Sequence, residues 1–369
     1  MGKILDIIIK TVAVLLLLFV LYCCTLGHEF GMKQVNKIIG MYHVNQGDKA
    51  FKKHNMQDAI NSYQAGLKLF PEHYEAWLNL GNIYVAYEDY YSATQAYENA
   101  ILAKDTYTVA RMNLGIITAE KLGDFDSAIE QYQAIINAKN HLISIPFVYD
   151  NKKSETANKA IAYYNMGKAY SQKALYLPKD KKTEKKELLS QSAEAYENAV
   201  NIVKDNYNMF YNLALTYHLL GDYGKAGQFY CEAINVGPMN YEAHYNLGLM
   251  LKHLHQDTYA IDELEKASVL VTSNHSRYIF DILSTVSMDA LKKGLPSKVS
   301  ELKKDDEVNS DKNKKEKSVK DEEKNINNAE TDDESVKLVN GKVYVGDETD
   351  PAVIDNFRKC NSKILFDSK

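Results

Sequence analysis

The sequence contains few of the residues that would cross-link or interrupt a fold. Its 369 residues include 4 cysteines, 6 prolines and 1 tryptophan. Two of the cysteines are adjacent in an apolar run, which excludes the framework of paired cysteines found in small secreted domains. We therefore predict that Cys231 is a buried structural thiol and that Cys360 is unpaired near the end of the chain. The scarcity of proline indicates long helices with few interruptions.

The sequence also lacks a charge excess and the common catalytic motifs. There are 44 Lys and Arg against 49 Asp and Glu, so no strongly basic surface is available to bind nucleic acid. No glycine-rich phosphate loop, GxSxG, HExxH or CxxC motif is present. His253 and His255 are two residues apart on a predicted helix and point to different faces, so they do not form a metal site. We therefore expect no enzymatic activity, no metal, no cofactor and no small-molecule substrate.

One long uncharged run lies near the N-terminus, from Thr11 to Gly27. As a helix it would measure roughly 25 Å, and the Lys10 side chain can extend outward to lengthen the apolar span. Lys3 and Lys10 precede the run, so the positive-inside bias predicts a cytoplasmic N-terminus. Residues 1–30 are therefore predicted to be a single-pass transmembrane signal anchor, with the rest of the chain outside the cytoplasm.

Two alternatives to an uncleaved anchor stay open. A cleaved signal peptide is disfavoured because the run is long and no small-x-small cleavage site stands where one is needed. A lipoprotein signal would place the lipid on Cys23 or Cys24, although the preceding Leu21 and Tyr22 are not the small residues usual before a lipidated cysteine.

A pattern of small and aromatic residues recurs six times between about residue 40 and residue 273. Its second copy reads Trp77, Leu80, Gly81, Tyr84, Ala93, Tyr97, Ala100. Gly47 to Gly81, Gly81 to Gly115 and Ala214 to Gly248 are each 34 residues apart. This period and residue order resemble the tetratricopeptide repeat, a helix-turn-helix unit. The resemblance implies an all-α superhelical solenoid of six repeats.

The apolar spacing of each copy is consistent with that fold. Spacings of three and four give each segment one apolar stripe, so two amphipathic helices per copy are predicted. Gly81 and Ala100 leave room for two helix backbones to approach, and Tyr84 and Tyr97 fill the space beside them. Neither helix buries its stripe alone, so the copies must stack into a solenoid over residues 31–295. Residues 276–293 form one more amphipathic helix, predicted to cap its end.

Two insertions depart from the period. Residues 143–159 separate the third copy from the fourth, and the fourth copy carries thirteen extra residues around 177–187. Because both lie between predicted helices, we expect them to lengthen a hairpin or to loop out.

The C-terminal part changes in composition. Residues 296–335 are rich in Lys, Asp, Glu and Asn and are predicted to be a disordered charged linker. In residues 336–369, Asn340-Gly341 is a hairpin signal, and Asp350-Pro351 could open a short helix ending near Arg358. Two interpretations stay open, namely a mostly disordered end or a small element that docks on another surface.

One polar residue recurs in every copy, two positions before the small residue of its first helix. The set is Asn45, Asn79, Asn113, Asn165, Asn212 and Asn246. Two residues turn a helix by about 200°, so these amides point away from the packed small residues and are predicted to line a concave groove. An amide can donate to and accept from a peptide backbone without reading its side chains. Alternatively, the asparagines bridge neighbouring helices.

The residue before each asparagine is aliphatic in the first three copies and tyrosine in the last three, namely Tyr164, Tyr211 and Tyr245. These rings are predicted to add contact area to the groove, unless they lie partly in the core between repeats. The six asparagines are similar in place to those of the repeat array of O-GlcNAc transferase, and this resemblance implies binding of substrate backbone. A carboxylate clamp is excluded, because Val44 and Asp48 stand where that family has Lys and Asn.

Together these features predict a membrane-anchored scaffold or adaptor for protein–protein interaction. Its partners would be proteins with unstructured or extended segments, bound in the groove, and the membrane, reached by the N-terminal helix. The alternative function is a regulatory or specificity subunit of a membrane-associated enzyme complex.

Overall fold

A computed structural model describes residues 2–138, 151–271, 276–292, 337–339, 342–344 and 360. The chain divides into two compact units, residues 1–143 (unit 1) and 144–369 (unit 2). Unit 1 contains α1 Gly2–Lys52, α2 Met56–Leu69, α3 Tyr74–Ala86, α4 Tyr90–Ala103, α5 Thr108–Glu120 and α6 Phe125–Asn137. Unit 2 contains α7 Asn151–Tyr176, α8 Lys182–Ile202, α9 Tyr207–Leu220, α10 Tyr223–Val236, α11 Tyr241–His253, α12 Asp257–Leu270, α13 Ser276–Lys292, β1 Lys337–Val339 and β2 Lys342–Tyr344.

The helices pack in consecutive pairs, three pairs in each unit, and each pair corresponds to one predicted repeat. Within a unit, the second helix of one pair also contacts the first helix of the next, as in α4 with α5 and α10 with α11. The sequence period therefore predicted the pairing of the helices correctly. Helix α13 packs on α12 and buries Ile279, Val286 and Ala290, as expected of a capping helix.

The turn inside most repeats combines a left-handed residue with an N-cap. Glu88 has φ of 59° and Gly221 has φ of 80°, and each directly precedes a capping aspartate. The side chains of these aspartates accept a hydrogen bond from the backbone three residues on, which satisfies an N–H that the helix itself leaves unpaired. This local chemistry ends one helix and begins the next.

Within each of the first four repeats, a tyrosine ring of the second helix lies over a glycine of the first. The pairs are Gly47 with Tyr63, Gly81 with Tyr97, Gly115 with Tyr132 and Gly167 with Tyr196. A Cβ added at Gly81 would lie 2.6 Å from Tyr97 Cε1, so a larger residue does not fit without movement. The close approach expected at Gly81 is therefore present, with Tyr97 filling the space.

The two insertions are more helical than a looped connection would be. Residues 151–159, expected to belong to a connecting segment, form the start of α7, while residues 139–150 lie outside the described residues. The extra residues of the fourth repeat lengthen the hairpin, since α7 has 26 residues and α8 has 21. The Lys and Glu residues at the start of α8 are good helix formers, which explains why they extend the helix.

Helix α1 has 51 residues and crosses residue 30 without a break. The predicted boundary between an anchor in residues 1–30 and the first repeat therefore falls inside a continuous helix. Among the helices of the described ranges, none has both the length and the apolar character that a membrane crossing requires.

The C-terminal residues confirm one expectation and correct another. Strands β1 and β2 pair antiparallel, with Leu338 opposite Val343, so the hairpin predicted around Asn340-Gly341 forms in addition to the all-α solenoid. Cys231 on α10 is disulfide-bonded to Cys360, so the predictions of a free buried thiol and an unpaired tail cysteine are wrong. The sequence did not show this pair because 129 residues separate the two cysteines. The predicted linker over 296–335 and the predicted helix near Asp350 lie outside the described residues.

Candidate peptide-binding face

The six asparagines lie on the first helices of the repeats, three in each unit. Asn45 is exposed on α1, and Asn79, Asn113, Asn165, Asn212 and Asn246 are half-buried on α3, α5, α7, α9 and α11. Tyr164, Tyr211 and Tyr245 are half-buried one residue before the asparagines of unit 2. We call the surface that carries each set of three asparagines the asparagine face of that unit.

In unit 1, each bridging asparagine reaches a polar residue of the preceding repeat. Asn79 Nδ2 donates to Asp48 Oδ1 at 3.5 Å, and the Tyr63 hydroxyl donates to the same oxygen at 2.6 Å. The next repeat has the same arrangement: Asn113 Nδ2 donates to Asn82 Oδ1 at 3.1 Å.

The hydroxyl donors of unit 1 stay protonated at neutral pH. The Tyr97 hydroxyl donates to Asn82 Oδ1 at 2.7 Å, and burial raises the pKa of Tyr97 to about 12. Burial, together with the hydrogen bond and charge of Asp48, also raises the pKa of Tyr63. The direction of these hydrogen bonds is therefore fixed, with tyrosine as donor and the side chain of the first helix as acceptor.

In unit 2, Asn212 and Asn246 donate to the hydroxyl of a tyrosine on the first helix of the preceding repeat. Asn212 Nδ2 lies 2.9 Å from the Tyr164 hydroxyl, and Asn246 Nδ2 lies 2.8 Å from the Tyr211 hydroxyl. The Tyr211 ring also stacks on Tyr207, with ring centres 5.6 Å apart and planes within 10°. The tyrosines before the asparagines are thus partners of the next repeat as well as parts of the surface.

These contacts give the asparagines a structural role that sequence reasoning had left open. The amide nitrogens of Asn79, Asn113, Asn212 and Asn246 bridge first helices of neighbouring repeats. Across the described residues, no hydrogen bond uses Oδ1 of Asn212 or Asn246. The face of unit 2 can therefore offer the carbonyl oxygens of Asn212 and Asn246 as acceptors, while one N–H of each of these amides is already engaged.

A second recurring contact was not predicted from the sequence. The residue two positions before an asparagine donates a side-chain N–H to a backbone carbonyl six residues earlier. The three pairs are Trp77 with Pro71 (2.8 Å), Arg111 with Asp105 (3.1 Å) and His244 with Pro238 (3.0 Å). The three side chains are chemically different, but each carries a ring or guanidinium N–H. This shared donor is the sequence feature from which the contact could have been predicted.

His244 belongs to a buried charged cluster in unit 2. Its Nδ1 lies 2.6 Å from Glu263 Oε2, and Lys266 Nζ lies 2.8 Å from Glu263 Oε1. Burial alone would raise the pKa of Glu263. The pKa nevertheless lies below its ordinary value, because His244 and Lys266 donate to the carboxylate and carry opposite charge. Since the Pro238 carbonyl can only accept, Nε2 of His244 donates to it. No group of three or more His, Cys, Asp or Glu in the described ranges is placed to hold a metal ion.

Comparison with known proteins identifies the repeat type. Family models described as "Tetratricopeptide repeat" match residues 44–107 and 207–238. No curated protein matches the chain.

Among solved structures, the chain is similar to MamA (21% identity, 53% of this chain and 91% of that chain, TM-score 0.41). It is also similar to PilW, described as a widely conserved type IV pilus biogenesis factor (14%, 66% and 98%, TM-score 0.47). A third similar structure is YrrB, described as a TPR protein with an unusual peptide-binding site (18%, 58% and 90%, TM-score 0.41). At these identities, the likeness concerns the fold alone.

Proposed function

Because this chain is a tetratricopeptide-repeat protein, we propose that it binds extended segments of other proteins along its asparagine faces and acts as a scaffold or adaptor. The observation that supports this proposal most directly is the hydrogen bonding of the Asn212 and Asn246 side-chain amides in unit 2. The nitrogens of Asn212 and Asn246 are fixed by tyrosine hydroxyls, which orients each amide, while Oδ1 remains available as an acceptor.

The proposed contact is a hydrogen bond from a backbone N–H of the partner to an asparagine Oδ1. Such a bond does not depend on the partner's side chains, so it suits an extended segment of varied sequence. The rings of Tyr164, Tyr211 and Tyr245 would supply contact area for apolar side chains at low cost in side-chain entropy. In unit 1, the Asp48 carboxylate would favour a positively charged segment instead.

The test compares two double variants of the full-length chain against a peptide selected from a random library. Asn212→Ala with Asn246→Ala removes both acceptors and should weaken binding roughly 5- to 150-fold, since each lost hydrogen bond contributes about 0.5–1.5 kcal/mol. The matched control, Tyr164→Phe with Tyr211→Phe, removes the hydroxyl partners but keeps the acceptors and the rings, so its loss should be smaller. Isothermal titration measures both.

Other results would reject the proposed contact. Equal losses in both variants would mean that the asparagines act only by positioning first helices. Unchanged affinity in both would place the partner site elsewhere. If a single enzyme co-purifies in stoichiometric amount and activity depends on the repeats, the alternative function as a regulatory or specificity subunit gains support.

We further propose that residues 1–30 anchor the chain in a membrane, with the repeats outside the cytoplasm. The support is the uncharged run 11–27 with Lys3 and Lys10 before it, and the exposed side chains of Val12, Leu15 and Leu18 on α1. A C-terminal tag should then resist added protease in intact cells and be digested once the outer barrier is opened. A tag that stays with the cytosolic fraction would contradict this topology. Mass spectrometry of the N-terminal peptide distinguishes an intact anchor from cleavage or from a lipid on Cys23 or Cys24.

A further inference from the structure

The C-terminal residues are attached to unit 2 at two places. Strand β1 lies against α12, and Cys360 is bonded to Cys231 on α10, with Cα atoms 5.7 Å apart. Both cysteines are half-buried and pack against the hydrophobic core of unit 2. The cross-link therefore joins the chain end to the core of the unit rather than to a surface loop.

We propose that β1, β2 and Cys360 form a covalent strap over the second helices of the last two repeats, and that the repeats mature in an oxidising compartment. The strap closes a loop of chain that includes repeat 6 and α13. Repeats at the end of a solenoid have a neighbour on one side only, so they open most easily. A cross-link that restricts the open state should stabilise this end.

The described contacts of the strap lie on helices other than those that carry the asparagines of unit 2. Asn165, Asn212 and Asn246 lie on α7, α9 and α11, whereas β1 contacts α12 and Cys360 is bonded to Cys231 on α10. These contacts are those of a stabilising element.

Formation of the bond requires an oxidant of defined class. A thiolate of one cysteine attacks the disulfide of a disulfide-donating protein, giving a mixed disulfide and one released thiolate. The thiolate of the second cysteine then attacks that mixed disulfide, forms the Cys231–Cys360 bond and releases the donor as a dithiol. The two cysteines lose two protons and two electrons, and the donor disulfide gains them.

Such donors act outside the reducing cytosol, which is why structural disulfides are rare there. This inference deepens the proposed topology, because both place the repeats outside the cytoplasm. The two rest on different residues, since the topology depends on residues 1–30 and the strap depends on unit 2. A failure of one can therefore be told from a failure of the other.

The first measurement is mass spectrometry of the full-length chain, with thiols alkylated at lysis and digested with trypsin without reductant. The expected product is peptide 226–252 linked to peptide 360–363, which Cys360→Ser should abolish. Recovery of both peptides fully alkylated would overturn the proposal, even if protease protection confirms the topology.

The second measurement is hydrogen exchange of the same chain, oxidised and after reduction. Reduction should raise exchange in α10–α12 by about 10-fold or more and leave α3–α5 unchanged. It should also lower the melting temperature of unit 2 by roughly 5–15 °C. Cys231→Ser and Cys360→Ser should each reproduce the reduced state, and Cys23→Ser with Cys24→Ser should not. Exchange in α10–α12 that does not respond to reduction would overturn the strap as a stabilising element.

Discussion

Units 1 and 2 bridge their repeats from the same asparagine position but with different partners. In unit 1, the acceptor lies three residues after the asparagine of the preceding repeat, at Asp48 and Asn82. In unit 2, it lies one residue before that asparagine, at Tyr164 and Tyr211. The same arrangement of first helices therefore allows the asparagine to donate to either of two acceptor positions. The side chains present at those positions determine which one is used.

The sequence explains the difference once the partners are known. Lys168 and Leu215 occupy in unit 2 the positions of Asp48 and Asn82, so an acceptor is absent there. In unit 1, aliphatic residues such as Leu78 precede the asparagines, so that position carries no hydroxyl, and the hydroxyl near Asn79 is that of Tyr63 on α2, at 3.4 Å. As a result, the carbonyl oxygens of Asn212 and Asn246 are acceptors in unit 2, while unit 1 presents a carboxylate at Asp48.

The largest expected effect on the free energy of unfolding concerns the residue two positions before the asparagine. This residue has a neutral side-chain partner in unit 1 and a charged one in unit 2. Arg111 donates to neutral Gln131 at 3.0 Å in unit 1, whereas His244 contacts the buried Glu263 in unit 2. Glu263→Gln removes the carboxylate that His244 and Lys266 share, leaves Lys266 with Asp262 as its remaining carboxylate partner, and should cost about 3–5 kcal/mol. Gln131→Ala, the matched control, should cost about 1 kcal/mol. Denaturant unfolding measures both, and equal costs would remove this distinction.

The same cluster makes unit 2 sensitive to acid. The folded-state pKa of Glu263 lies below its ordinary value, so its stabilisation is complete above that ordinary value. It is lost as pH falls through the lowered pKa, because the unfolded chain then binds the proton more readily. Stability of unit 2 should therefore fall on acidification more steeply in the native chain than in Glu263→Gln. Parallel pH profiles would contradict the buried ionised pair.

The next largest effect on stability concerns the close approach of the Tyr97 ring to Gly81 in unit 1. Gly81→Ala places a Cβ 2.6 Å from the Tyr97 ring and should destabilise unit 1 by about 1–2 kcal/mol. The control is Gly31→Ala on α1, where no atom lies within 4 Å, so helix propensity alone should stabilise by up to about 1 kcal/mol. Thermal unfolding gives the sign of each change. If Gly81→Ala stabilises like Gly31→Ala, the helix pair is looser than described.

The smallest effect tests the bridge itself by a double-mutant cycle. Tyr211→Phe and Asn246→Ala remove the two partners of one hydrogen bond and should show a coupling energy of about 0.5–1.5 kcal/mol. Tyr97→Phe with Asn246→Ala combines changes in separate units and should be additive. Coupling near zero in the first pair would mean that the asparagine and the tyrosine are independent.

The sequence predicted those features that depend on nearby residues. The 34-residue spacing, the small residues and the tyrosines recur within one helix pair, so period and pairing followed directly. The turn signal Asn340-Gly341 likewise predicted β1 and β2. The helical character of residues 182–187, at the start of α8, was only one of two alternatives, because an insertion of good helix formers can also loop out.

The remaining features depend on partners that are distant in sequence. Asn246 and Tyr211 are 35 residues apart, and Asn212 and Tyr164 are 48 apart, across an insertion. The sequence therefore could not decide between a bridging and a binding asparagine. The Cys231–Cys360 bond spans 129 residues and left no local signal at all.

The most direct test of the central claim, that Oδ1 of an asparagine accepts from a partner backbone, replaces single backbone N–H groups of a selected peptide by N–CH3. We expect one or more methylations to weaken binding to the native chain roughly 2- to 10-fold, the value of one hydrogen bond. The same methylation should have no further effect on Asn246→Ala or on Asn212→Ala, whichever removes the matching acceptor. Losses that persist undiminished in both variants would show that the partner backbone is not bound by these amides and would contradict the proposed contact.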